Sequence, residues 1–145
     1  MYLDDIPLRL ELVTDRVTID EHKMVAFAEE YDPLPVHTDA EYAKTTRFKR
    51  LLAPGVMTFM EVWKKFVEQD LFGEELVAGK STKIEWFLPV FAGDVLYGRA
   101  AVTGIERRNA YNGLVELTMD VYNQEEKCVL QSVIESIVAY RPQKQ

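Results

Sequence analysis

A single cysteine, Cys128, is all the thiol chemistry this chain has. That excludes an intrachain disulfide and a cysteine-based zinc set. Cys128 sits in an apolar run with Val129 and Leu130, which predicts a buried structural thiol and no nucleophile. Long hydrophobic runs are missing as well: no stretch approaches the roughly twenty apolar residues of a membrane span. The N-terminal MYLDDIPLRLELV carries acidic residues and no continuous apolar core, unlike a signal peptide. Basic charge is scarce, with 17 Lys and Arg against 24 Asp and Glu and a net charge of −7. Nucleic-acid binding needs clustered Lys and Arg, so that role is excluded. There is no linker, repeat or low-complexity segment, and no motif of a serine hydrolase, metalloenzyme or nucleotide-binding protein. These absences predict a soluble cytoplasmic protein without metal, cofactor, nucleic-acid partner or membrane association.

What is present is a globular composition. The chain has 145 residues, 48% of them hydrophobic, with two tryptophans, enough for one domain with a real core over 1–145. Leu8, Leu10 and Leu12 alternate with Arg9 and Glu11, giving a first strand or extended entry within Leu8–Val17. Thr18-Ile19-Asp20-Glu21 fits a capping box, and Met24, Phe27, Ala28 and Tyr31 follow on one helical face until Asp32-Pro33 stops it. His22 lies on the polar side and receives no role. Asp39 caps a short helix over Ala40–Thr45. A second, strongly apolar helix is expected from Gly55 to about Leu71, with Gly73 as its stop. Its stripe is Val56, Phe59, Met60, Trp63, Phe66 and Val67, widened by Met57.

From Lys80 the period changes to two. Ile84, Trp86 and Leu88 alternate, and Pro89 and the Ala92-Gly93-Asp94 turn close that strand. Val95–Glu106 forms a second strand. Tyr111-Asn112-Gly113 gives a hairpin signal before Leu114–Tyr122, in which Val115, Leu117, Met119 and Val121 oppose Glu116, Thr118 and Asp120. Gln124–Lys127 turns into Cys128–Tyr140, and Arg141–Gln145 reads as a frayed tail. One long apolar helix followed by a four-stranded antiparallel meander, with an earlier strand to join it, predicts an α+β domain whose curved sheet wraps round the helix.

The stretch from Phe27 to Gly55 carries the chemistry. Asp32 and His37 stand five apart with Pro33 and Pro35 between them. Each proline fixes φ and biases its predecessor toward extended geometry, so DPLPVH should be a stiff, non-helical loop. A carboxylate and an imidazole held in one cleft can share proton transfer; the alternative is a helix-ending turn with a hydrogen-bonded Asp. The start of the Gly55 helix has unpaired N–H groups and a dipole suited to a developing negative charge. Lys44, Arg47, Lys49 and Arg50 form the only basic cluster, either for substrate phosphates or as a solvated loop face.

Asp32, Pro35 and His37, followed by Asp39, Ala43, Phe48 and Leu51-Leu52-Ala53-Pro54-Gly55, resemble the signature of the MaoC-like (R)-specific enoyl-CoA hydratases, D-x-N-P-x-H followed by a glycine that opens a long helix. The resemblance implies a hot-dog fold, and FLPVFAGDVL is similar to the segment entering a strand in that fold. It implies that Asp32 and His37 activate the water that adds to a trans-2-enoyl thioester. The N–H of Gly55 then binds the thioester oxygen. It also implies a homodimer with acyl-thioester sites at the subunit interface. Two positions depart from the pattern: Leu34 replaces a usual Asn or Gln, and Pro54, which has no N–H, replaces a polar residue before the glycine. An oxyanion donor must therefore come from Gly55 or Val56.

The substrate expected is an acyl-CoA or acyl-carrier thioester, contacted by Val56, Phe27, Arg47, Lys49 and Arg50. Bulky Phe27, Phe59 and Trp86 would close a pocket for short chains, or serve as core. The reaction expected is reversible hydration to a 3-hydroxyacyl thioester. Which of Asp32 and His37 is the base stays open. Two alternatives remain: an acyl-CoA thioesterase with Asp32 as base or nucleophile, or a non-catalytic acyl-binding hot-dog subunit, for which the altered Leu34 and Pro54 speak. An open cleft bringing Asp32 and His37 together near Gly55 favours chemistry. A cleft plugged by Leu34 favours binding alone.

Overall fold

The alternating second half of the chain folds as a sheet that carries one long helix on its apolar face. The structure, a computed structural model, describes residues 1–143. Strands β1 (Glu11–Val13), β2 (Val17–Thr18), β3 (Leu76–Trp86), β4 (Val95–Arg107), β5 (Asn112–Tyr122) and β6 (Cys128–Ala139) pair antiparallel in the order β1-β4-β5-β6-β3, with β2 also on β4. The helices are α1 (Glu21–Tyr31), α2 (Pro35–Thr38), α3 (Ala40–Lys44) and α4 (Gly55–Val67). No helix among the described residues is long and apolar enough to cross a membrane.

Two-residue periodicity sorts the sheet into a dry and a wet face. Register pairs Gly98 with Val121, Ala100 with Met119 and Val102 with Leu117, then Leu117 with Ile134 and Val121 with Leu130, all buried. Arg99, Thr118, Asp120 and Gln131 point the other way, where Gln131 donates to Asp120 at 2.7 Å. The expected alternation of Val115–Val121 against Glu116–Asp120 holds, whereas Gly113, Leu114 and Val115 at the start of β5 are buried in succession.

Helix α4 lies against this dry face where Gly98 has no side chain. A Cβ at Gly98 would sit 2.8 Å from Val62 Cγ1 and 3.0 Å from Met119 Sδ. The close approach rotates the helix away from the expected stripe. Met57, Thr58, Phe59, Val62 and Phe66 are buried, whereas Val56, Met60 and Val67 face out at about half exposure. α4 is apolar round most of its circumference, so spacing alone defines overlapping stripes; the gap at Gly98 selects the one centred on Val62. The helix also stops at Val67, before Leu71, because Asp70 takes a left-handed φ of 50°, a conformation that Asp tolerates better than most residues. Phe72 then folds back into the core.

Other expectations shift for local reasons. Asp20, not Thr18, caps α1 by accepting the Lys23 N–H at 3.0 Å, since Thr18 is paired in β2. The Pro-flanked loop contains the single helical turn α2, with Pro35 at its first position, where a missing N–H costs nothing. Asn112 and Gly113 belong to β5. The turn before them is built by Asn109, whose Oδ1 accepts from Tyr111 and Asn112. β3 does not turn back onto β4; residues 87–94 cross over the start of α4, and β3 pairs with β6. On that outer strand only Ile84 is half-buried, while Trp86 and the following Leu88 are exposed.

Cys128 is half-buried rather than enclosed. Its thiol donates to the Leu130 carbonyl, and burial, then the nearby Asp120 carboxylate, push its ionisation up. At the expected frayed tail, the Arg141 N–H donates to Asp4 at 2.8 Å and its guanidinium binds Asp5; Lys144 and Gln145 lie outside the described residues.

Gly98→Ala is expected to cost about 1–3 kcal/mol by overpacking against Val62. Combining it with Val62→Ala should recover part of that loss, a coupling read as non-additive unfolding free energies in urea.

Candidate functional site

The Asp32 and His37 side chains meet because two short helices are joined at a fixed corner. Asp32 ends α1, its N–H donating to the Ala28 carbonyl and its backbone leaving helical geometry. Pro35 starts α2, and His37 follows two residues later, its N–H donating to the Leu34 carbonyl. His37 is buried and Asp32 is half-buried. Nε2 of His37 lies 3.3 Å from Asp32 Oδ2.

The other ring nitrogen is committed. Nδ1 lies 2.6 Å from the Leu52 carbonyl oxygen. A carbonyl only accepts, so Nδ1 carries a proton and donates it. Nε2 is then the exchangeable position: it either shares a second proton with Asp32 or offers its lone pair to a water. A proton-transfer pair needs this division of labour, one nitrogen fixing the ring while the other works.

The same Leu52 leads into α4. Ala53 donates to the Val90 carbonyl at 2.8 Å, and Leu52 bridges to Phe91. Residues 86–90 thereby form the opposite wall of a cleft of about 450 Å³ lined by Asp32, His37, Arg47, Gly55, Val56 and Trp86, among others. Gly55, Val56 and Met57 open α4, and the first backbone amide returned into the helix end is that of Thr58, to Pro54. Pro54 caps without a side-chain bond. Free N–H groups of Gly55 and Val56 at the positive end of a thirteen-residue helix favour an oxygen gaining charge. The absence of a side chain at Gly55 makes room for Trp86, because a Cβ there would meet the indole at 2.6 Å and displace it.

Of the residues expected at the site, Asp32, His37, Gly55, Val56 and Arg47 line one cleft. Phe27 does not: it packs against the core and against Tyr31, with ring centroids 5.2 Å apart. The stripe of α1 faces inward at that turn, so Phe27 serves as core. The basic cluster divides. Arg47 lies at the cleft, over the Phe48 ring, but Lys49 and Arg50 are not among the residues lining it. Arg50 is drawn away by stacking 3.8 Å over the Phe91 ring, Lys49 occupies a left-handed turn at φ 64°, and Lys44 pairs with Glu41. Phe59 is core, whereas Trp86 lines the cleft. Leu34 is exposed and lies outside the cleft lining. The Leu52 carbonyl has no side-chain signature in the sequence. Thr58, whose hydroxyl donates to the Gly55 carbonyl at 2.6 Å, was hidden inside the apolar helix pattern.

Residues 9–123 match the family described as the MaoC like domain. The chain belongs to the MaoC-like family. Among solved structures, a MaoC-like dehydratase from Rhodospirillum rubrum is 27% identical, with a TM-score of 0.89 over 99% of both chains. The R-hydratase PhaJ1 from Pseudomonas aeruginosa is 25% identical, with a TM-score of 0.78 over 97% of this chain and 86% of its own. The uncharacterized protein YdeM of Bacillus subtilis (strain 168) is 25% identical over 95% of this chain and 99% of its own. With these neighbours the α+β sheet and helix form a MaoC-like hot-dog fold of the hydratase and dehydratase class.

Gly55→Ala is expected to expel the indole of Trp86 from the start of α4. The tryptophan emission should shift toward longer wavelength, and an unchanged spectrum would contradict the contact.

Proposed function

We propose that this MaoC-like protein adds water reversibly to a trans-2-enoyl thioester, giving a 3-hydroxyacyl thioester. The observation that carries this reading is the Asp32–His37 pair at 3.3 Å in the cleft opened by the Gly55 helix start. The thioester oxygen takes the Gly55 N–H, and its developing charge is greatest in the enolate-like transition state, where that donor acts most strongly. A water between Asp32 and His37 attacks Cβ. One member of the pair takes the water's proton, and the pair delivers a proton to Cα, so no net proton is gained or lost. Nδ1, bound to Leu52, leaves Nε2 as the exchanging nitrogen.

Arg47 at the cleft is suited to the phosphates of coenzyme A or of an acyl carrier. Val56 and the Trp86–Val90 wall are suited to the acyl chain. Leu34, standing outside, leaves the cleft open, which supports catalysis over simple acyl binding.

The working unit of this proposal is a homodimer. β3 is an eleven-residue outer strand whose second edge has no protein partner among the described residues. Leu76 and Val77 on β3, with Met60 and Val67 on α4, stand exposed by 46–58%. A free edge beside an apolar helix flank is a surface that a second copy covers by extending the sheet.

Crotonyl-CoA should lose its enoyl absorbance on mixing with the protein. Asp32→Asn and His37→Ala should each lower kcat by about 10²–10⁴ without unfolding. Release of free thiol without hydration would indicate thioester hydrolysis instead, and no turnover by folded protein would remove the enzymatic reading. Sedimentation should give a dimer that Val77→Lys converts to monomer.

A further inference from the structure

On this reading the reacting oxygen sits where a side-chain donor can join the backbone N–H groups that open α4. An enolate oxygen has lone pairs for at least two N–H groups. The helix start supplies the backbone N–H groups of Gly55 and Val56, and its cap, Pro54, offers neither an N–H nor a side-chain donor. Among the cleft side chains, His37 Nδ1 is committed to Leu52 and the Thr58 hydroxyl to the Gly55 carbonyl. The remaining uncharged side-chain donor is the Trp86 indole.

The indole is also in the right place. Its five-membered ring lies against Gly55, with Nε1 and Cε2 each 2.6 Å from where a Cβ would stand. Nε1 donates to no protein group among the described residues, and the side chain that carries it lines the cleft, which leaves this N–H available to a ligand there. Trp86 is 49% exposed. An indole donates and never accepts, and it carries no charge at any working pH, so it stabilises a negative oxygen without drawing a proton from Asp32 or His37.

We propose that the Trp86 Nε1–H is a side-chain donor to the thioester oxygen, acting beside the backbone N–H groups that open α4. Trp86 is then a catalytic residue of the hydration, and this inference rests on the reading given under Proposed function. Its bulk over Gly55 also holds the thioester at the mouth of α4.

The test labels both indole nitrogens with ¹⁵N. Trp63 and Trp86 give two signals, assigned with Trp63→Phe. Titration with butyryl-CoA should move the Trp86 indole proton downfield, and S-butyl-CoA, whose thioether has no carbonyl oxygen, should leave it in place. Trp86→Phe should lower kcat for crotonyl-CoA about tenfold or more with little change in KM, short of the roughly 10²–10³ that losing a main oxyanion donor costs. Equal responses to the two ligands, or an unaltered kcat in Trp86→Phe, would overturn the proposal while Asp32-dependent hydration still stood. Failure of butyryl-CoA to perturb any resonance would overturn it together with the hydratase reading.

Discussion

The backbone of Leu52 is the joint on which the site depends. Its N–H donates to the Val36 carbonyl at 3.0 Å, its carbonyl holds His37 Nδ1 at 2.6 Å, and it bridges to Phe91 across the cleft. One residue therefore fixes the helical turn that carries the imidazole, the imidazole itself, and the wall that faces it. Three residues further on the chain enters α4. A displacement of Leu52 would move His37, Gly55 and Trp86 together, which is why the geometry holds as a unit and why no single side chain sets it.

The sheet contributes by leaving space. Gly98 lets α4 approach closely enough for Val62 to seat on β4 and β5, and that depth sets where the first turn of α4 opens beside β3. The same rotation leaves Val56, Met60 and Val67 outside. One helix thus furnishes core on one flank, the cleft at its N-terminus and a second apolar flank, an economy that a helix with a narrower stripe could not provide.

What was legible in the sequence was local chemistry. The stop at Asp32-Pro33, the Asp39 cap, accepting the Tyr42 N–H at 3.1 Å, and the alternation through Val115–Val121 need only neighbours in the chain. The Asp32–His37–Gly55 constellation was legible because a family pattern ties distant positions into one site. The rest depended on partners far along the chain. The face of α4 was decided by Gly98, the place of β3 by β6, and the fate of Arg50 by Phe91; no spacing within those segments encodes them. Asn112-Gly113 misled because Asn109 does the same turn chemistry three residues earlier. Phe27 misled because an aromatic at helical spacing serves a core and a pocket equally well.

His37 and Asp32 stand side by side on a single wall, with the ring held there through Leu52. An enoyl group is planar, and a pair on one wall reaches only one of its two faces. On the proposed reaction the oxygen reaching Cβ and the hydrogen reaching Cα both come from that side. The addition is then syn, and the handedness of the alcohol follows from which face of the alkene the Trp86–Val90 wall turns toward the pair.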